Sequence, residues 1–307
     1  MVRTLICRIV WHENVPEFGF SELNALLGDM YVCIRLLADP LNLGWAASRP
    51  RQITLMLLKT FIYPVLRDHG ECQSQQRAEA LLDMQQLLDA LFNRDCVYNW
   101  SGFLFKDNKE EIGAKLAWAQ NRKAVQERAA EAKELGHDPE EHDDSNAHCR
   151  ALSRRERRRW AWCHKCYPGE VADLGQERER LIANKSFYLR TICKSAGLYM
   201  FKCSLDDGTQ AERWMLPTEL LRAMGWPITR QDQTACGSRC QFSHGTEEAA
   251  LPTRTHSSVS GSCGNNMHIN VMGAVEMALL LRVPCIGDPI MQQANFSEAS
   301  EKKRCIQ

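Results

Sequence analysis

The strongest constraint on the fold lies in the first sixty residues, where apolar runs enclose a short helical pattern. Residues 3–11 end in an apolar run, residues 31–37 form a second run that stops at an Asp-Pro pair, and residues 52–58 are almost continuously apolar. Runs of this length predict strands, and the third is typical of a strand covered on both faces. Residues 21–27 have the spacing of a short helix with Ser21 as its N-cap. This order of elements predicts an α/β fold.

The middle of the chain changes character and becomes helical. Leucines and a methionine recur at helical spacing within residues 73–93, and residues 109–135 are rich in Ala, Glu, Lys and Gln. Five acidic side chains then crowd residues 136–146. This composition predicts a linker.

An arginine cluster follows the acidic segment. Ser153 precedes five arginines within residues 154–159, and Glu156 stands at the capping-box position of a helix that begins after Ser153. The arginines fit two interpretations, which are contacts to nucleic-acid phosphates or a solvated helix face that balances the acidic linker. The second is the more ordinary one, and both stay open.

The last third of the chain contains two further helices. Residues 217–227 predict a compact helix with Thr218 as N-cap and Gly225 as its C-terminal stop. A polar stretch, 253–263, leads to a final helix over about 266–282. That helix is apolar on nearly every turn, so we expect it to pack against a sheet.

Composition excludes several classes and selects none. The chain has 307 residues, 44% hydrophobic and 25% charged, with 38 basic and 38 acidic side chains and a net charge of zero. These fractions are those of soluble globular proteins and exclude a wholly disordered, collagen-like or coiled-coil chain. Zero net charge also excludes a uniformly basic nucleic-acid coat but permits a local basic face.

The fourteen cysteines favour ordinary thiols in a reducing compartment. No secretory signal is visible and no run reaches the roughly 20 apolar residues of a bilayer helix, so we expect an intracellular protein that is neither secreted nor membrane-bound. Cys163 and Cys166 have the spacing of a zinc half-site, with His148 and Cys149 upstream and Cys236, Cys240 and His244 downstream. Because no second Cys pair follows at finger spacing, we predict no metal site. A zinc-stabilised interaction protein stays an open alternative.

Three polar stretches stand where strands or helices begin or end. Residues 11–18 (Trp-His-Glu-Asn-Val-Pro-Glu-Phe) place Glu13 and Asn14 at the C-terminal edge of the first strand, where ligands bind in open α/β sheets. Residues 42–51 (Asn-Leu-Gly-Trp-Ala-Ala-Ser-Arg-Pro-Arg) lead directly into the third strand. Residues 263–271 (Cys-Gly-Asn-Asn-Met-His-Ile-Asn-Val) open the last helix and offer backbone N–H groups and side-chain amides to a polar ligand.

In this order the stretches resemble the DNA (cytosine-5) methyltransferases. That family has a Glu-Asn-Val motif after one strand, a Gln-x-Arg-x-Arg motif before another, a variable target-recognition region and a closing Gly-Asn helix. Residues 171–176, 186–191 and 216–227 also look like landmarks of the recognition region. The resemblance touches residues from about 5 to 60 and from about 150 to 282, and its specificity comes from the order of the motifs.

The resemblance implies roles for six residues. Glu13, with Asn14 beside it, would hold a flipped cytosine at its ring nitrogen and exocyclic amine. Arg49 and Arg51 would clamp the carbonyl of the base and support the active-site loop. The remaining two, Asn265 and Asn266, would contact S-adenosylmethionine. Taken singly, each of these residues also has an ordinary structural explanation as a strand-end carboxylate, a surface arginine or a helix cap.

The chain departs from the family in two ways. Ala47 occupies the place of the family's Gln. More seriously, only twelve residues precede Glu13, so the Gly-rich cofactor loop and the nucleophilic Pro-Cys loop are not upstream of it. Cys7 lies inside a predicted strand, and Pro284-Cys285 lacks the following Gln and the preceding strand. Neither supplies the thiolate that adds to the cytosine ring.

We therefore expect the C-terminal portion of a cytosine-5 DNA methyltransferase, nuclear if eukaryotic and inactive alone. The expected organisation is a partial Rossmann-like S-adenosylmethionine-dependent methyltransferase sheet over 1–60, a helical insertion with its acidic linker over 61–150, an α+β target-recognition region over 151–255, and a closing helix and tail over 256–307. The expected partners are DNA and a complementary chain that supplies the missing half. The alternative is a non-catalytic DNA-binding or regulatory relative.

Overall fold

A computed structural model describes ten stretches of the chain, which fall into two compact units. Unit 1 draws on Met1–Leu43, Pro50–Asp95 and Asn270–Gln307, and unit 2 on Gly44–Arg49 and Cys96–Ile269. The described residues are 7–62, 83–96, 99–105, 109–134, 147–167, 171–175, 188–192, 199–204, 210–235 and 267–282. The four-part division expected from the sequence stays a prediction.

Unit 1 is built on a three-stranded sheet. Its strands are β1 (Ile9–Asn14), β2 (Tyr31–Ala38) and β3 (Arg51–Leu58), in the order β1-β3-β2. Because β3 pairs antiparallel with both neighbours, β1 and β2 run in the same direction. Helix α1 (Phe20–Leu27) connects them in sequence, which gives a βαβ element with an antiparallel strand inserted.

The core of unit 1 covers one face of this sheet. Helices α2 (Met84–Phe92) and α9 (Ile269–Arg282, the last described helix of the chain) contribute with the strands to a single apolar cluster. The residues of α9 in this cluster recur at helical spacing, as the predicted packing against a sheet requires. Each buried valine or leucine of this cluster stabilises the fold by about 1.5–3 kcal/mol relative to an exposed one. The cluster residues of α9 are Val271, Ala274, Val275, Ala278 and Leu279.

The second and third strands confirm their predictions, whereas the first strand and the first helix need correction. β1 extends to Asn14 and is half-buried throughout, because it is an edge strand. Cys7 is exposed and precedes β1 instead of lying inside it. Helix α1 begins at Phe20 with Gly19 as N-cap, so Ser21 is not the cap. The Ser21 hydroxyl instead donates to the Glu22 carboxylate.

Unit 2 combines helices with a second small sheet. Strands β4 (Ala172–Asp173), β5 (Tyr199–Ser204) and β6 (Gln210–Trp214) pair antiparallel in this order. Two apolar clusters pack around this sheet, and Tyr199, Phe201 and Trp214 are among the largest fully buried side chains. The described helices of unit 2 are α3 (Lys109–Gln120), α4 (Lys123–Glu134), α5 (Ala147–Arg150), α6 (Arg154–Cys166), α7 (Pro217–Ala223) and α8 (Arg230–Ala235).

The helical stretch predicted over 109–135 is two helices with a break at Arg122. The Arg122 guanidinium donates to both carboxylate oxygens of Glu156, at 2.6 and 2.8 Å, and to the carbonyls of Ala119 and Ala151. The capping box of Ser153 and Glu156 is confirmed at the start of α6. A bidentate pair of this kind is among the stronger hydrogen-bonded contacts in proteins.

Helix α7 has a different N-cap from the one predicted. Leu216 caps it, because the Glu219 carboxylate accepts a hydrogen bond of 2.7 Å from the Leu216 N–H. Pro217 occupies the first helical position, where its missing N–H costs nothing. Thr218 is therefore inside the helix. Gly225 has a positive φ of 82°, which confirms it as the stop.

The α/β prediction is confirmed by the two small sheets and their helices. Among the described residues, no helix is both long and apolar enough to cross a membrane. The predicted linker over 136–146 and the polar stretch over 253–263 lie outside the described residues.

Candidate active site

The structure brings Glu13 and Arg51 together at one end of the sheet in unit 1. Glu13 lies opposite Ile53, and Arg51 stands two residues before Ile53 on the same face of β3. Such diagonal neighbours are within reach of long side chains. Arg51 Nε lies 3.3 Å from Glu13 Oε1, and the two side chains keep 17% and 13% of their exposure.

This ion pair places charged groups at the end of the apolar face of the sheet. Ile9 and Trp11 precede Glu13 on the same face of β1 and pack against the apolar core cluster. Arg51 Nη1 donates to the Pro50 carbonyl at 2.8 Å, whereas Arg51 Nη2 donates to no described residue. The site therefore offers an arginine N–H donor beside a carboxylate, next to an apolar wall.

Asn14 shapes the turn that follows Glu13. Its Oδ1 accepts a hydrogen bond of 2.8 Å from the Val15 N–H. Asparagine commonly holds a turn in this way, through a bond to nearby backbone. The contact assigns Asn14 a positioning role at the end of β1.

The opposite face of the same strands carries polar groups that the sequence pattern did not reveal. Gln52 and Thr54 are fully buried within an otherwise apolar strand, and Arg35 Nε donates to Gln52 Oε1 at 2.7 Å. His12 lies directly opposite Thr54. Within the described residues, His12 Nδ1, Gln52 Nε2 and Thr54 Oγ1 are buried without a hydrogen-bond partner. Strand periodicity alone gave no signal for these side chains.

Arg49 belongs to unit 2 and contacts a different partner from Arg51. It is 5% exposed, and its Nη1 donates to the Ile192 carbonyl at 2.9 Å. The backbone just before it pairs with Leu189. The Ser48 N–H donates to the Leu189 carbonyl at 2.6 Å, and the Leu189 N–H donates to the Ala46 carbonyl at 2.9 Å. The clamp of one base carbonyl by both arginines stays a prediction.

Three segments that carry sequence motifs meet in unit 2 at one backbone carbonyl. The Ala223 carbonyl accepts hydrogen bonds from Trp45 Nε1 at 2.8 Å and from His268 Nε2 at 3.1 Å. A carbonyl only accepts, so His268 carries its proton on Nε2. Burial is the main cause that lowers the pKa of His268 to about 3; the hydrogen bond to the Ala223 carbonyl raises this pKa by less, and the positive charge of Arg49 lowers it further. His268 is therefore a neutral structural residue at pH 7.

The contacts to S-adenosylmethionine stay a prediction. The two predicted contacts, Asn265 and Asn266, lie outside the described residues. No metal site forms in the part of the chain that is described, since no three His, Cys, Asp or Glu side chains there come together to hold an ion. Cys163 is buried in an apolar cluster and Cys166 is exposed. The downstream half of the zinc alternative, at residues 236–244, is outside the described ranges.

Comparison with known proteins gives likenesses in structure alone. No model of a known protein family matches the chain, and no curated protein matches it. The crystal structure of S. pombe Dnmt2 methyltransferase is similar at a TM-score of 0.41 and 13% identity, over 89% of this chain and 65% of that one. A mutant DNMT2 of Spodoptera frugiperda is similar at 0.34 and 13% identity, over 90% of this chain and 66% of that one. The chain thus spans less than two thirds of each of these two proteins. Any function of this chain has to follow from its own residues.

Proposed function

We propose that this chain is a relative of the cytosine-5 DNA methyltransferases that holds a cytosine of DNA between Glu13 and Arg51. The observation that carries the proposal is the Glu13–Arg51 pair at the C-terminal end of β1, with its 3.3 Å separation and partial exposure. The ordered motifs of the sequence support the same assignment. A base of duplex DNA would have to be flipped out of the helix to contact the pair.

The chemistry of the two side chains matches one edge of cytosine. Once it has taken a proton from solvent, the Glu13 carboxyl can donate to the ring nitrogen and accept from the exocyclic amine. Arg51 Nη2 can donate to the neighbouring carbonyl oxygen. A donor at the ring nitrogen also stabilises the electron-rich ring that forms when a nucleophile adds to the adjacent carbon. The pair therefore recognises cytosine and activates it in the same contact.

The proposal assigns methyl transfer to a complementary chain and not to these residues alone. The family's reaction needs a thiolate beside the base. Cys7 does not supply it, because it precedes β1 while Glu13 lies near the other end, about 20 Å away along the strand.

The test compares two short single-stranded DNAs that differ only in one central base, cytosine or thymine, with adenine elsewhere. We expect fluorescence anisotropy to show about tenfold tighter binding to the cytosine strand, the discrimination that one good bidentate contact gives. Glu13→Ala should abolish the preference. Lys123→Ala removes an exposed, ion-paired residue and serves as the matched control.

Two results would count against the proposal or change its form. An unchanged cytosine preference in Glu13→Ala would show that the pair does not hold the base. Salt-sensitive DNA binding without any cytosine preference would favour the second candidate, a non-catalytic DNA-binding relative. A separate assay for transfer of labelled methyl from S-adenosylmethionine to DNA should give no turnover with this chain alone, and clear turnover would contradict that expectation.

A further inference from the structure

Helix α6 presents a row of cations on one side and its buried residues on another. At 100° per residue, Arg154, Arg155, Arg158 and Lys165 fall within an arc of about 100°. We call these four residues the basic stripe. All of them are exposed, whereas Glu156, Arg159, Trp160 and Cys163 are buried on an arc centred about 140° away.

The acidic partner within the helix is engaged elsewhere. α6 contains six cations and a single carboxylate, Glu156. Arg122 and the Ser153 N–H occupy that carboxylate, and its pKa is lowered because these contacts outweigh the larger single effect of burial. The charge of the basic stripe is therefore not neutralised from within its own helix.

The described contacts of Arg154, Arg158 and Lys165 leave these three side chains accessible. Arg154 makes one exposed ion pair, 3.6 Å from Glu131, and such surface pairs contribute little. Arg158 and Lys165 have no ion-pair partner among the described residues. By contrast, Arg159 points inward and donates to the Leu174 carbonyl at 2.8 Å. Two kinds of arginine thus stand side by side, one structural and one facing solvent.

We propose that the basic stripe binds the phosphate backbone of DNA without regard to base sequence. From Arg154 to Lys165 the stripe runs about 16 Å along the helix axis. A strand of DNA places a phosphate every 3.4 Å of its axis, so about five phosphates lie within that length. Charge complementarity selects a polyanion, and the four cations, at about 0, 1.5, 6 and 16.5 Å along the axis, lie within the length of that row of phosphates.

This inference rests on the proposed function for its partner, DNA, but concerns residues of unit 2 alone. The experiment therefore uses a duplex of adenine and thymine only, to which the Glu13–Arg51 pair has no cytosine to bind. Failure at the stripe and failure of the cytosine site then give separate results. The protein is the full 307-residue chain.

The measurement is the salt dependence of the dissociation constant. Four phosphate contacts predict that Kd rises about 150-fold between about 50 and 200 mM salt, and two contacts predict about 12-fold. We expect the first value for the wild type and the second for the double variant Arg158→Gln, Lys165→Gln. The charge-conserving variant Arg158→Lys, Lys165→Arg should keep the wild-type dependence, and Lys123→Gln controls for loss of a cation elsewhere in unit 2.

The outcomes separate the interpretations. A double variant with the wild-type salt dependence, or a wild type whose binding does not depend on salt, would overturn the proposal. Equal loss of binding to phosphatidylserine vesicles by the same double variant would instead assign the stripe to an acidic membrane surface. Glu127→Gln, which changes an exposed carboxylate elsewhere in unit 2, should bind the adenine–thymine duplex like the wild type.

Discussion

Two arginine–glutamate pairs of the same chemistry occupy opposite environments in the two units. In unit 2, Arg213 contacts Glu219 through both terminal nitrogens at 2.7 and 2.9 Å, and Glu219 is fully buried. The Glu219 carboxylate also accepts from the Leu216 and Phe105 N–H groups. In unit 1, Arg51 approaches Glu13 through Nε alone, and both side chains keep some exposure.

The difference separates a structural pair from one that can bind a ligand. Arg213 donates its remaining bonds to the carbonyls of Trp214 and Phe105, so the buried pair is saturated. Arg51 keeps Nη2 without a described partner. Removing one member of the fully buried pair leaves a charge uncompensated, whereas changing the partly exposed pair leaves a group that water can solvate.

The largest effect is expected from Glu219→Gln. This substitution leaves the buried Arg213 charge without its carboxylate and should lower the free energy of unfolding by about 3–5 kcal/mol. Urea unfolding followed by tryptophan fluorescence reports mainly on unit 2, which contains seven of the eight tryptophans, all except Trp11. A loss below about 1 kcal/mol would show that the pair is not a structural anchor.

Acid should weaken unit 2 through its buried histidines. Burial and the nearby Arg213 and Lys115 charges lower the pKa of His148 to about 4, and His268 is lowered to about 3 from the usual 6.5. The unfolded chain therefore binds protons first, so stability is complete above pH 6.5 and is lost as the pH falls toward the folded pKa values.

The loss should amount to roughly 3 kcal/mol per histidine by about pH 4. Urea unfolding at a series of pH values measures it, with His268→Gln as the comparison. Relative to the wild type, that variant should lose less stability between pH 6.5 and 4. Parallel pH profiles for the two proteins would contradict the assignment of a neutral, buried His268.

A third pair sharpens the comparison, because its exposure equals that of the site in unit 1. Arg122 and Glu156 keep 17% and 12% exposure, but Arg122 makes a bidentate contact and two further bonds to carbonyls. Arg122→Ala should therefore cost about 1.5–3 kcal/mol in urea unfolding. If it costs no more than Glu13→Gln, then exposure and not the number of partners decides stability.

The smallest effect on stability is expected at the site itself. Glu13→Gln should change the free energy of unfolding by less than about 1 kcal/mol, because Arg51 contacts Glu13 through Nε alone and water still reaches both side chains. Far-ultraviolet circular dichroism during urea unfolding measures this. A loss as large as that of Glu219→Gln would make the pair in unit 1 structural and would remove the reason to assign it a ligand.

The sequence predicted those parts of the fold that local pattern controls. The apolar runs of β2 and β3, the Ser153 capping box and the Gly225 stop all depend on neighbouring residues, and the structure contains each of them. Cap identity was less predictable. Thr218 has the right chemistry for an N-cap. Pro217 and the Glu219 carboxylate nevertheless fix the N-cap of α7 two residues earlier, at Leu216.

The remaining features depend on contacts between distant residues. The pairing of Ala47 with Leu189 and the bond from Arg49 to Ile192 join segments more than a hundred positions apart, and no local pattern marks them. The Glu13–Arg51 contact was implied only through a family resemblance. The buried Gln52 beside it had no signal at all, because one polar residue in an apolar run does not change the period of a strand.

The central claim is that Glu13 and Arg51 hold cytosine by its polar edge. The most direct test is nuclear magnetic resonance of a short DNA whose single cytosine carries nitrogen-15 at the ring nitrogen and the exocyclic amine. Binding of the wild-type chain should shift both resonances, and Glu13→Ala should leave them at their free positions while the DNA is still bound. Unshifted cytosine resonances in the wild-type complex would contradict the claim.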